Sequence, residues 1–181
     1  MKLVETIIKD CYIIEWDHII DERGSFNIPF NRTLFKVKTG IDFNSIQENE
    51  SFSYKNTIRG LHLQLPPFDQ AKLVRCTRGS ITDVVVDVRR NSESYGRKIQ
   101  VILSGGFNRS LFIPRGCAHG FSTQEDSTLN YKVDNTYSKI SESGIIYNDP
   151  QLDIDWDVSK EFLISNKDKG LPFFKDLDIY K

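Results

Sequence analysis

His62 is the side chain in this sequence best placed to do proton chemistry. It is one of three histidines and stands in Arg59-Gly60-Leu61-His62-Leu63-Gln64-Leu65, just before Pro66-Pro67. The run alternates apolar and polar, as a strand with one buried face does: Leu61, Leu63 and Leu65 share one side, and Gly60, His62 and Gln64 the other. An imidazole titrates near neutral pH, so it can take or give a proton there. A hydrogen-bonded structural histidine would occupy the same position. His119, in Pro114-Arg115-Gly116-Cys117-Ala118-His119-Gly120, is the second imidazole on a strand-like run, while His18 lies in a charged N-terminal stretch. A His-x-His metal pair would need an imidazole where Gln64 stands, and Gln is a poor transition-metal ligand. Two imidazoles with no acid beside His62 fall short of the roughly three or four protein ligands of a zinc site. No metal is expected.

The surrounding elements read as strands. Lys2 to Trp16 is β-rich, and residues 17–25 are charged and turn-like. Asn31 to Ile41 reads as a short helix that Asn31 or Thr33 can cap and Gly40 can stop. Phe43 to Glu48 reads as a short strand leading into the polar run Gln47-Glu48-Asn49-Glu50-Ser51. After the His62 strand come Gln70–Arg75, Ser80–Arg90, Lys98–Leu103, Ser110–Ile113, Ala118–Thr123 and Ser127–Val133, punctuated by Gly105-Gly106 and Pro114-Arg115-Gly116. Ser80–Arg90 is the clearest: Ile81, Asp83, Val85, Asp87 and Arg89 form one row, and Thr82, Val84, Val86 and Val88 the other. A second helix is expected over Asp157–Phe162. Short strands at intervals of roughly 8–12 residues predict a mainly β fold, a double-sheet jelly roll with a few short peripheral helices. Residues 1–181 are expected to form one domain. Its C-terminal tail, 150–181, should pack back on the barrel, because Trp156, Phe162, Leu163 and Ile164 favour burial.

Composition narrows the function classes. The 181 residues carry 24 basic and 25 acidic side chains, a net charge of −1. No basic excess points to nucleic acid, and no polybasic run points to a membrane surface. Early charge in Met1-Lys2-Leu3-Val4-Glu5 does not resemble a signal peptide, and no apolar run approaches the roughly 20 residues of a membrane span. A cytoplasmic location is expected. Cys11, Cys76 and Cys117, with no Cys-x-x-Cys, read as reduced, packed thiols.

Several motifs, in order, carry a resemblance. They are Asp21-Glu22-Arg23-Gly24-x-Phe26, Gln47-Glu48-Asn49, Arg59-Gly60-Leu61-His62-x-Gln64, Gln70-Ala71-Lys72-Leu73-Val74, Asp83 to Arg89, Ile113-Pro114-x-Gly116-x-Ala118-His119-Gly120-Phe121, Tyr131-Lys132 and Tyr147-Asn148-Asp149-Pro150. From about residue 3 to 176 the sequence resembles the dTDP-4-dehydrorhamnose 3,5-epimerases, nucleotide-sugar epimerases of the cupin superfamily. The resemblance implies a cupin-type double-stranded β-helix. It also implies epimerisation of a nucleotide-linked 4-keto-6-deoxy sugar at C3 and C5, by proton abstraction beside the ketone, within deoxysugar and polysaccharide biosynthesis. Such a reaction needs a base, an acid opposite it and a group that holds the enolate oxygen. No redox cofactor is required, and no glycine-rich dinucleotide fingerprint is present.

By resemblance, His62 is the base, Asp168 the carboxylate behind it, Tyr131 the general acid and Lys72 the cation near the keto oxygen. Arg23 and Arg59 resemble diphosphate contacts, which suits the fork of a guanidinium. Gln47 and Asn49 resemble nucleotide or sugar contacts, Phe26 belongs to the same substrate-binding set, and Tyr137 resembles the aromatic stacked on the base. His119 with Asp83 resembles a second, supporting pair. Read from the residues alone, Asp168 is a solvated acid in a Lys-Asp-Lys run, Tyr131 a core aromatic, Lys72 a solvent-facing lysine, and Asp83 part of an ion-pair face. The implied partners are a nucleotide-diphosphate sugar and a second copy, in a homodimer paired through the β-rich N-terminal segment; the residues alone fit a terminal strand inside its own sheet equally well. One departure stands out: the family pattern Arg-Gly-x-Phe-x-Glu places an acid where Ile28 stands, so the nucleotide contact differs. A C3-only epimerase, a ketoisomerase, a non-catalytic nucleotide-sugar binder and a metal-dependent dioxygenase are the alternatives.

Overall fold

The computed structural model describes residues 1–177, so the last four residues of the tail expected over 150–181 lie outside it. Its strands are β1 (Lys2–Glu5), β2 (Tyr12–Glu15), β3 (Ile19–Asp21), β4 (Gly24–Phe26), β5 (Gln47–Ser53), β6 (Ile58–Gln64) and β7 (Lys72–Arg78). They continue with β8 (Ser80–Asp87), β9 (Lys98–Ser104), β10 (Arg109–Ile113), β11 (Cys117–Thr123), β12 (Ser127–Val133) and β13 (Glu142–Gly144). A six-stranded sheet has the order β1-β2-β10-β7-β12-β5 and a five-stranded sheet the order β13-β6-β11-β8-β9, with β3 and β4 a separate hairpin. The ladders are antiparallel, and the two sheets make the expected mainly β jelly roll.

The central strands of the five-stranded sheet are buried on both faces, and their sequence shows why. On β8, Ile81 and Val85 enter an apolar cluster with Val74 and Leu111 of the opposite sheet. The intervening Val84, Val86 and Val88 enter a second cluster with Leu61, Leu63, Trp156 and Phe174. Period two therefore delivers one row to the interior between the sheets and the other to the underside of the C-terminal tail. His62 alternates with Leu61 and Leu63, so it faces the interior. Each fully buried aliphatic side chain contributes about 1.5–3 kcal/mol.

The first helix, α1, spans Arg32–Thr39. Asn31 Oδ1 accepts the Leu34 N–H, and Gly40 closes the helix at φ 77°. Phe35 is its buried residue and packs among Phe30, Phe43 and Phe112. Two expectations are corrected. Residues 157–162 are irregular rather than helical: Asp153 and Asp157 have positive φ, and the Trp156 indole N–H donates to the Tyr147 carbonyl. The strand expected over 43–48 begins instead at Gln47 and takes in the polar run, because that run is an edge strand paired along its length with β12. Cys11, Cys76 and Cys117 are free and buried, as expected. Among the described residues no helix is long and apolar enough to cross a membrane.

Candidate active site

One end of the space between the sheets is left open as a cavity of about 310 Å³. Polar side chains from both walls line it. From the six-stranded sheet come Gln47, Asn49, Lys72 and Tyr131, whose register places them together: Val133 pairs with Lys72 and Gln47, and Tyr131 pairs with Val74 and Asn49. From the five-stranded sheet come Arg59, His62 and His119, and the two histidines are direct partners across the β6–β11 ladder. His62 and Tyr131 thus approach the cavity from facing walls.

The His62 Nε2–H donates to Asp168 Oδ1 at 2.8 Å. That tautomer leaves Nδ1 with a free lone pair, the form a base needs. The second Asp168 oxygen accepts the Gly60 N–H at 3.0 Å. Burial alone would push the Asp168 carboxyl up, but the bonds from His62 and Gly60 outweigh it and hold the group below the usual carboxylate range. Glycine at position 60 is a steric requirement, since a Cβ there would lie 2.6 Å from Gly120 Cα and the backbone has φ 117°. With no side chain on either residue, the β6 and β11 backbones approach closely beside the histidines.

Asp168 is delivered by a clamped segment. Leu163 bridges to Thr57, its N–H donating to Asn56 O at 2.7 Å and its carbonyl accepting the Ile58 N–H at 2.8 Å. Ser165 then caps the short helix α2 (Asn166–Lys169) by accepting the Asp168 N–H. Beyond it, the Ile146 N–H donates to Pro172 O, and the Phe174 N–H donates to the buried Asp149 Oδ2 at 2.7 Å. The carboxylate is fixed from both sides, although it comes from the far end of the chain.

Lys72 is buried, and its ammonium donates to the His62 carbonyl at 3.3 Å. Burial pushes it down to about 8. His119 Nε2–H donates to Asp83 Oδ2 at 2.9 Å, and both residues are buried. Burial lowers the His119 imidazole despite that carboxylate. Burial raises the Tyr131 phenol, with Arg59 opposing, so it stays protonated at neutral pH. Arg59 is oriented by Ser53 Oγ at 2.8 Å and Phe52 O at 3.0 Å.

The expected residues therefore divide. His62, Lys72, His119, Tyr131, Arg59, Gln47, Asn49 and Tyr137 line the cavity, and Asp168 and Asp83 stand behind its two imidazoles. Arg23 and Phe26 do not reach it: they sit on the exposed β3–β4 hairpin, where Arg23 pairs with Asp21 at 2.5 Å. Ile28, next along, is also exposed. Residue-level reading missed Glu142, which lines the cavity, accepts the Tyr137 hydroxyl at 2.9 Å and pairs with Lys167 at 2.5 Å. Its strand, β13, is too short to leave a periodic signal. Gln64 also lines the cavity, and its Oε1 accepts the Ser138 N–H at 2.8 Å.

A jelly roll enclosing an imidazole–carboxylate pair, a phenol and a buried ammonium has the make-up of a cupin-type isomerase. The chain belongs to the dTDP-4-dehydrorhamnose 3,5-epimerase family, whose sequence profile matches residues 5–176. It is 41% identical to the Shigella flexneri dTDP-4-dehydrorhamnose 3,5-epimerase, over 99% of both chains. The crystal structure of the Elizabethkingia anophelis enzyme superposes with a TM-score of 0.95 at 43% identity, covering 99% of each chain. The Legionella pneumophila dTDP-6-deoxy-D-glucose-3,5-epimerase, solved in complex with dTDP-4-keto-L-rhamnose, superposes at 0.92 with 37% identity, covering 98% of this chain and 94% of that one.

Proposed function

We propose that the chain converts dTDP-4-dehydro-6-deoxyglucose to dTDP-4-dehydrorhamnose by inverting C3 and C5, within residues 1–181 acting as one unit. His62 Nδ1 removes the proton on carbon beside the 4-ketone, and the electron pair moves onto the ketone oxygen as an enolate. The Lys72 ammonium holds that oxygen. The Tyr131 phenol returns a proton to carbon from the other wall, so the configuration inverts. Proton exchange with water then resets imidazole and phenol. The observation that carries this reading is the 2.8 Å His62–Asp168 pair facing Tyr131 across one cavity. Incubation in heavy water, with C3 and C5 followed by NMR, tests it: deuterium at both carbons is expected. Label at C3 alone would make the chain a 3-epimerase, and no label with the dTDP, CDP, GDP or UDP sugar would leave a binder.

The active form in this reading is a homodimer in the cytoplasm, using a nucleotide-diphosphate sugar. The support is the β3–β4 hairpin, which exposes Ile19, Ile20, Phe26 and Ile28 beside Arg23. Isolated hairpins with that much apolar surface are poorly stable in water. A second groove, of about 530 Å³, opens behind Arg59 and His62 and is flanked by exposed Phe52, Tyr54 and Leu163. Docked there from a second copy, the hairpin brings Arg23 to the diphosphate and Phe26 to the nucleoside. Ile20→Asp is expected to give a monomer in analytical ultracentrifugation and to raise KM; a dimer of unchanged affinity would remove the hairpin from the interface.

A further inference from the structure

The carboxylates around the cavity are committed unequally. Both Asp168 oxygens are used, by His62 and by the Gly60 N–H. Both Glu142 oxygens are used, by Lys167 and Tyr137. Asp83 gives Oδ2 to His119, but its Oδ1 is buried and has no hydrogen-bond partner among the described residues. Lys72 is the complementary case: a buried ammonium with three protons, whose hydrogen bond among the described residues is a long one to the His62 carbonyl. Each group on its own is strongly disfavoured away from water, and opposite charges attract over longer distances where water is excluded.

Resting on the acid–base reading above, we propose that Asp83 is a positioning residue that touches neither cavity nor substrate and works through two groups that line the cavity. It anchors His119 by a direct hydrogen bond, and its uncommitted oxygen is the counter-charge that keeps Lys72 an ammonium, the form that holds an enolate oxygen.

Lys72 shares a row of β7 with Val74, which packs in one cluster with Ile81 and Val85 on either side of Asp83 on β8, and the other groups around it are His62 on β6, Cys117 and His119 on β11, Tyr131 on β12 and Glu142 on β13. Burial is the largest influence lowering Lys72, and Asp83 is the largest opposing it, ahead of Cys117 and Glu142. The Cys117 thiol is itself pushed well up by burial, so it is neutral in the working range. Glu142 is neutralised by Lys167 at 2.5 Å. Without the Asp83 charge, burial acts with little opposition and Lys72 loses its proton at lower pH.

Asp83→Asn keeps the shape and an acceptor for His119 while removing the charge. Trace labelling with acetic anhydride across pH, read at Lys72 by peptide mass spectrometry, reports the protonation of that amine without turnover. The wild-type midpoint is expected near 8. In Asp83→Asn it moves toward acid by about one pH unit or more, and the alkaline limb of kcat moves with it while KM at neutral pH holds. Asp83→Ser gives the same comparison if the amide is not accommodated. His119→Gln, which retains the carboxylate, leaves Lys72 without an acid shift. An unmoved Lys72 midpoint in the neutral variants, or an equal shift in His119→Gln, overturns the proposal. A shifted midpoint in a protein that exchanges no sugar proton would sustain it and remove the epimerase reading instead.

Discussion

His62 finds its carboxylate 106 residues away in sequence, whereas His119 finds one 36 residues away on a neighbouring strand. The two imidazoles are ladder partners, yet their surroundings differ. The His62 side chain is 33% exposed and that of His119 is 8%. Asp168 sits in a segment clamped at Leu163 and Phe174, with both oxygens bonded. Asp83 sits inside an eight-residue strand with one oxygen bare. The first pair has a reachable lone pair and a saturated partner, which suits a base that must take a proton and release it. The second is almost wholly buried, although its imidazole also lines the cavity, and burial lowers that imidazole. In the proposed reaction the same two residue types serve as base in one place and as support in the other, and the exposure of the imidazole separates them.

The contrast is broken most severely at His62. His62→Ala is expected to lower exchange at both carbons by about 10³-fold or more, within the range for a lost general base, as followed by NMR in heavy water. Wild-type exchange would move the base elsewhere. Next is Asp168→Asn, expected to lower kcat by about 10²–10³-fold because the amide no longer fixes the tautomer or supports the imidazolium. Its KM should hold, and steady-state kinetics separates the two. Tyr131→Phe should cost about 10²-fold in product formation. It should keep deuterium exchange into unreacted substrate, since the base survives and only delivery from the opposite wall is lost.

His119→Gln sharpens the other side of the comparison through stability. The His119 pKa is depressed in the folded chain, so its contribution is complete above the ordinary imidazole value, near 6.5, and is lost as pH falls from there through the folded value. Wild-type protein should therefore lose stability on acidification across that window, and His119→Gln should lose less, as urea melts at stepped pH values will show. The smallest effect is expected from Lys167→Ala. Its partly exposed pair with Glu142 is worth about 0.5 kcal/mol, so melting should barely change.

Sequence alone makes the barrel legible where period two is strong. Ser127–Val133 agrees in both bounds, and Ser80–Asp87 follows the alternation of Ile81, Asp83 and Val85 against Thr82, Val84 and Val86. The polar strand Gln47–Ser53 is hidden because its partner, β12, supplies what its own composition lacks. The Asp157–Phe162 stretch misleads because charged Asp157, Lys160 and Glu161 interleaved with Val158 and Phe162 mimic a helix, while positive φ at Asp157 and the Trp156–Tyr147 bond just before it enforce bends. In the cavity, His62 is visible from its own strand. Asp168 is not, since Lys-Asp-Lys reads as solvated charge until the fold buries it. Glu142 depends on a three-residue strand that only a neighbour can define.

Among the described residues, Asp168 follows every strand in chain order. A ribosome therefore makes the imidazole long before its partner, and a chain halted or clipped ahead of Ser165 carries His62 but not the carboxylate bonded to it. In the proposed mechanism, cleavage a few residues ahead of α2 would therefore abolish turnover while sparing all the described strands.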